Sequence, residues 1–120
     1  MVDDNAFSQK TLANLLRELG WAPPTIAETG EEALDILRSS PEAFDVIILD
    51  QKLPWMNGLQ TLTMAREAVG SLPPVIMITG SNEATLEAEG RALGVVAFRR
   101  KSELNEAVMR DLLAEVVGQP

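Results

Sequence analysis

Apolar residues recur along this chain in two alternating rhythms. Leu12, Leu15, Leu16 and Leu19 fall at the three- and four-residue spacing of one helical face, and Gly20 follows as a stop. Pro23-Pro24 then opens a short strand over residues 25–28. Neither proline can donate to a ladder, so that strand is expected at a sheet edge. Ala33, Ile36 and Leu37 give a second helical stripe, starting after Gly30 and ending before Pro41. Residues 46–49, Val-Ile-Ile-Leu, are a continuous β-branched-rich run, the pattern of a strand covered on both faces. Leu59, Leu62 and Ala65 mark a third helix, and residues 75–78 repeat the buried-strand pattern after Pro73-Pro74. Leu86 and Leu93 face one side of a fourth helix, which Gly90 weakens. Residues 95–98 read as a further short strand. The last helix is predicted over about residues 103–117, with Val108, Met109, Leu112 and Val116 as its stripe. Strands that alternate with helices and are covered on both faces predict an α/β fold, a doubly wound parallel sheet with right-handed crossovers.

Composition mainly removes alternatives. The 120 residues suit one domain, 1–120, with a single core, and no repeat or linker divides them. The chain has no Cys and no His, which excludes a disulfide framework, thiolate metal sites and every His-dependent triad. Carboxylates, hydroxyls, amines and backbone remain for chemistry. No apolar run approaches the ~20 residues of a membrane-spanning helix, and no secretory signal pattern is visible, so a cytoplasmic location away from membranes is expected. A net charge of −8 argues against direct contact with nucleic acid. The one basic cluster, Arg99-Arg100-Lys101, reads as a solvated strand end.

In open parallel α/β sheets, sites form beyond the carboxyl ends of the strands. The run at 46–49 ends in Asp50, and the run at 75–78 ends in Thr79, followed by Gly80 and Ser81. The strand through Phe98 continues to Lys101, and Asp3-Asp4 stands where a first strand should end. Three carboxylates, a hydroxyl and an ammonium thus gather at one edge. Crowded carboxylates suit a hard divalent cation, and Mg²⁺ accepts such a sparse oxygen set. A carboxylate beside the metal can attack phosphorus to give an aspartyl-phosphate. Lys101 can neutralise the transferred group and Thr79 can donate a hydrogen bond to it, catalysis by positioning and charge that needs no His on this side.

Taken singly, each residue has a plainer reading. Asp3-Asp4 reads as a helix cap, with Asp4 well placed as N-cap, plus a solvated acid. Asp50 reads as a turn acid, Thr79 as a strand-end hydroxyl bonded locally, Lys101 as a surface lysine and Phe98 as core. Trp55 and Met56 follow Pro54 in an expected exposed loop, where partner contact and local packing stand as equal alternatives.

Together, Asp3-Asp4-Asn5, the segment Asp50-Gln51-Lys52-Leu53-Pro54-Trp55-Met56-Asn57-Gly58, Thr79 and Lys101 resemble response-regulator receiver domains over nearly the whole chain. The resemblance implies a flavodoxin-like sheet in the order 2-1-3-4-5. It implies Asp50 as phospho-acceptor, with Mg²⁺ ligated by Asp4, Asp50 and the Lys52 main-chain carbonyl, and by Asp3 mainly through water. The donor would be a phosphohistidine on a histidine kinase or phosphotransfer protein. Thr79 would move towards the phosphoryl group while Phe98 changes rotamer, remodelling the surface of the fourth helix, the strand through Phe98 and the last helix. A downstream protein or flanking domain would read that surface, which could also form a homodimer. Such a chain is a phospho-acceptor that assists its own transfer and hydrolysis rather than an enzyme in the ordinary sense.

Three positions depart from the family pattern. Only Met1-Val2 precede the acid pair where the family has a full, central strand, so the first strand is expected to be truncated or missing. Its loss would leave neighbouring backbone unpaired at roughly 1–3 kcal/mol per group, unless upstream residues or a rearranged or exchanged segment fill the gap. In either case Asp3 and Asp4 are at risk of displacement. Ser102 stands where proline usually follows the lysine. A cis bond there would cost ~2.5–4 kcal/mol, so a trans bond is expected, with Ser102 capping the last helix and the reach of Lys101 altered. Phe98 replaces the common tyrosine, so a switch would work by packing alone. Lys52 and Ser81 flank the site and are expected to tune phosphoryl lifetime. Two further classes remain open: a phosphohydrolase of the haloacid-dehalogenase type, against which Lys52 stands where a second acid belongs, and a degenerate receiver that only binds partners. A dinucleotide-binding domain is disfavoured, because no glycine-rich loop follows a strand.

Overall fold

The computed structural model describes residues 1–80 and 84–118. Its elements are α1 (Ala6–Glu18), α2 (Gly30–Ser39), β1 (Ile47–Asp50), α3 (Gly58–Val69), β2 (Val75–Thr79), α4 (Ala84–Ala92), β3 (Val95–Arg100) and α5 (Glu106–Val116). A 3₁₀ turn, Lys101–Glu103, separates β3 from α5. Ser81 lies outside the described residues.

Four of the helices start on a side chain that accepts from the third helical amide, as the orphaned N–H groups of a first turn require. Asn5 accepts from Ser8, Thr29 from Glu32, Asn57 from Gln60 and Asn105 from Val108. Two expectations fail here. The cap of α1 is Asn5, not Asp4, which leaves the Asp4 carboxylate clear of the helix. The last helix starts at Glu106 on an Asn105 cap, and Ser102 sits in the preceding 3₁₀ turn instead. The carboxylate of Glu103 folds back onto Arg100, accepting from its backbone N–H at 3.2 Å and its Nε at 3.0 Å, and this closes the turn before the helix begins. The bond at Ser102 is trans, as are all peptide bonds among the described residues.

The sheet is parallel, with β1 paired to β2 and β2 to β3. The strand expected over residues 25–28 reduces to a single bridge at Ala27. Residues 1–3 slot between that bridge and β1. Val2 donates to Ile48 O at 2.8 Å and accepts from Asp50 N at 2.9 Å. On the other side Asp3 N donates to Ala27 O and Ala27 N to Met1 O, both at 2.9 Å. Both flanking backbones are therefore satisfied, and the lateral order, counting these short segments, is 2-1-3-4-5. The first strand is truncated to one bridged residue, yet it still delivers Asp3 and Asp4 to the carboxyl edge.

Alternate side chains of the inner strands enter two cores. Ile47, Leu49, Val75 and Met77 pack with Ala33, Leu34, Leu37, Leu62 and Leu86 of α2, α3 and α4. Ile48, Ile76 and Ile78 pack on the other face with Leu12 and Leu16 of α1 and Met109, Leu112 and Leu113 of α5. Leu113, outside the stripe read from the sequence, is 1% exposed, and Leu93 lies just beyond the end of α4. No helix among the described residues is long and apolar enough to cross a membrane.

Candidate functional site

Asp50 ends β1 with its side chain turned into the carboxyl-edge cleft and only 4% exposed. Its Oδ1 accepts the Lys52 backbone N–H at 3.3 Å, and its Oδ2 lies 3.0 Å from Nζ of Lys101. Asp3 is buried beside it. One oxygen, Oδ1, accepts the Asn5 N–H at 2.9 Å, and Oδ2 stands 3.5 Å from the same ammonium. Gln9 donates to the Asp3 carbonyl at 2.7 Å, so α1 grips the backbone of the acid as well. Asp4, exposed, completes the set: Asp3, Asp4 and Asp50 each offer an oxygen within 4.8 Å of the others.

This cluster holds more negative charge than one ammonium balances, and its donors are all hard oxygens. That is a fit for a hard divalent cation. Burial raises the pKa of Asp50, the Lys101 hydrogen bond and charge pull against it, and the nearby Asp3 charge adds to the rise. Burial alone would lower the Lys101 pKa, but its hydrogen bond and charge pairing with Asp50, with Asp3 behind, lift it above the ordinary lysine value. Lys101 is therefore a cation at any physiological pH.

Thr79 ends β2, is 7% exposed and lines the same cleft as Asp50, Asp4, Lys52 and Lys101. Asp3 and Asp50 both contact Lys101, and Thr79 shares the cleft of Asp50 and Lys101. Phe98 does not join them: it lies on β3 against α4, half-buried in the core around Met77 and Leu86. Its ring fills space left by Gly90, where a β-carbon would stand 2.5 Å from Cζ, and the Arg91 guanidinium sits 5.4 Å from the ring centroid. The glycine that weakens α4 as a helix former is thus the seat of this ring.

Trp55 and Met56 divide the alternatives left open for them. Met56 packs against the core. Trp55 is 88% exposed and holds φ +64°, a left-handed conformation that costs a bulky residue energy and returns no packing. Sequence reasoning also missed three supports. Gln51 accepts from the Leu59 N–H at 3.0 Å through Oε1 and from the Gly58 N–H at 3.0 Å through its backbone carbonyl. Asn57 and Gln60 form a capping box, whose spacing is legible as Asn-x-x-Gln. Ser8, one helical turn after Asp4, accepts from Lys101 Nζ at 3.3 Å.

A family model described as the response regulator receiver domain matches residues 1–113. The chain is 33% identical over 100 residues to chemotaxis protein CheY of Pseudomonas aeruginosa, covering 82% of this chain and 78% of that protein. It is 31% identical over 81 residues to two-component system protein A of Emericella nidulans, covering 68% of this chain and only 12% of that longer protein. Among solved structures it superimposes on a CheX–CheY–BeF3–Mg complex from Borrelia burgdorferi with a TM-score of 0.87 and 27% identity, over 96% of this chain and 84% of that one. On its sequence, its doubly wound sheet and these likenesses, the chain belongs to the response-regulator receiver domains of two-component signal transduction.

Proposed function

We propose that residues 1–120 act as one receiver domain in the cytoplasm, with Asp50 as phospho-acceptor. The observation that carries this reading is the contact of Lys101 Nζ with the buried Asp50 carboxylate, 3.0 Å, at the edge where Asp3 and Asp4 converge. Asp50 and Asp4 would ligate Mg²⁺ directly, with the Lys52 main-chain carbonyl. Asp3, whose oxygens accept from the Asn5 N–H and face Lys101, would act mainly through water. Held by these oxygens, a Mg²⁺ ion would supply charge neutralisation to the incoming phosphoryl group. The similar Borrelia burgdorferi complex is one with that ion and a beryllofluoride group, and this supports the same chemistry here.

A carboxylate oxygen of Asp50 attacks phosphorus in a phosphohistidine of the partner kinase or phosphotransfer protein. The oxygen–phosphorus bond forms as the phosphorus–nitrogen bond breaks, and the electron pair leaves with the imidazole. Lys101 pairs with a phosphoryl oxygen, and Thr79 donates its hydroxyl to another. Movement of Thr79 would release Phe98 from its seat on Gly90 and alter the surface of α4, β3 and α5, read by a downstream protein or a flanking domain. Incubation with Mg²⁺ and acetyl phosphate followed by intact mass tests the acceptor. The expected result is one added phosphoryl group, lost in Asp50→Asn; no gain, or a gain that survives that substitution, contradicts the reading.

A further inference from the structure

Lys101 has a partner that the phosphoryl chemistry does not account for. An ammonium carries three hydrogens, and this one faces three oxygens: Asp50 Oδ2 at 3.0 Å, Ser8 Oγ at 3.3 Å and Asp3 Oδ2 at 3.5 Å. Two of the three sit on one capping turn. The Asn5 side chain accepts the Ser8 N–H at 2.9 Å, and the Asn5 N–H goes to Asp3 Oδ1 at 2.9 Å. The turn that orients Asp3 therefore also sets Ser8, on a helix packed into the core through Leu12 and Leu16.

The other end of the lysine is held less firmly. Lys101 opens the 3₁₀ turn, whose side-chain closure is the solvent-exposed Arg100–Glu103 pair. Exposed pairs of this kind constrain little. A long, flexible side chain leaving a soft turn can swing out to water unless its tip is anchored.

We infer that Ser8 is a positioning residue for Lys101: its hydroxyl takes the third ammonium hydrogen and keeps Nζ at the Asp50 carboxylate. This rests on Asp50 being the phospho-acceptor. Preorganised charge is what such transfers depend on, so loss of the anchor acts on rate.

The test compares phosphoryl uptake from saturating acetyl phosphate, with Mg²⁺, in the parent, Ser8→Ala, Ser8→Thr, Lys101→Ala and the Ser8→Ala/Lys101→Ala pair. Losing one hydrogen bond to a charged group is expected to slow Ser8→Ala about tenfold. Ser8→Thr, which keeps the hydroxyl, should stay near the parent rate, and the double variant should match Lys101→Ala. Mg²⁺ affinity by calorimetry should not change in Ser8→Ala. A parent rate in Ser8→Ala, or the same further slowing in the Lys101→Ala background, overturns the inference. Reductive methylation of Lys101, read by peptide mass, judges the contact without any phosphoryl transfer. Faster labelling in Ser8→Ala supports it and equal labelling overturns it, so a parent that takes up no phosphoryl group counts against the acceptor reading alone.

Discussion

A β-carbon on Gly58 would stand 2.6 Å from the backbone carbonyl oxygen of Asp50 and 2.9 Å from Oε1 of Gln51. The first residue of α3 is thus pressed against the end of β1, with the Gly58 N–H bonded to Gln51 O at 3.0 Å. A backbone oxygen cannot rotate aside as a side-chain tip can. Gly58→Ala is expected to cost about 1–3 kcal/mol of stability, because the helix start and the strand end must separate. Urea unfolding measures that loss, and phosphoryl uptake should fall with it as Asp50 shifts. An unchanged unfolding midpoint would contradict the close approach.

Asp50 carries a stability signature of its own. Its pKa is raised, chiefly by burial and against the pull of Lys101. A carboxyl whose folded pKa exceeds its unfolded value stabilises the fold while protonated, and that contribution is lost as pH rises through the folded value. At neutral pH the charged form therefore works against folding. Asp50→Asn should raise the unfolding free energy at neutral pH without divalent cations. The gap should narrow as pH falls into the carboxyl range. Urea titrations at about pH 7 and about pH 5 check the sign, and a parent more stable than the variant at neutral pH refutes it.

Phe98 and Gly90 make a separable prediction. The ring occupies the volume of an absent β-carbon and lies under Arg91, which Glu87 holds at 3.0 and 3.2 Å. Gly90→Ala should unseat the ring while the helix gains about 1 kcal/mol of propensity, so the fold should survive with a displaced Phe98. Aromatic NMR resonances report the displacement directly. Phe98 resonances identical to the parent's would mean that the seat is not tight.

Much of the fold is legible in the sequence, for identifiable reasons. Runs such as residues 46–49 and 75–78 are covered on both faces and carry an unambiguous pattern, which places β1 and β2 and the acid and hydroxyl that end them. The slot of Val2 is not legible. A strand of one bridged residue has no periodicity, and only the hydrogen bonds to Ile48, Asp50 and Ala27 reveal it. Caps are ambiguous where two candidates adjoin. Asp4 and Asn5 are both good N-caps, and the choice falls to the one whose oxygen reaches the Ser8 amide. The second role of Gly90 is not legible in the sequence, because a propensity scale sees the cost to the helix and not the ring packed against it.

The central claim concerns one carboxylate, and chemical trapping addresses it most directly. Protein incubated with Mg²⁺ and acetyl phosphate is treated with borohydride, which reduces an acyl phosphate to the alcohol, and is then mapped by peptide mass. Reduction of residue 50 alone, dependent on Mg²⁺ and much weakened in Lys101→Ala, is the predicted result. Reduction at another acid, or none at all, would contradict the account.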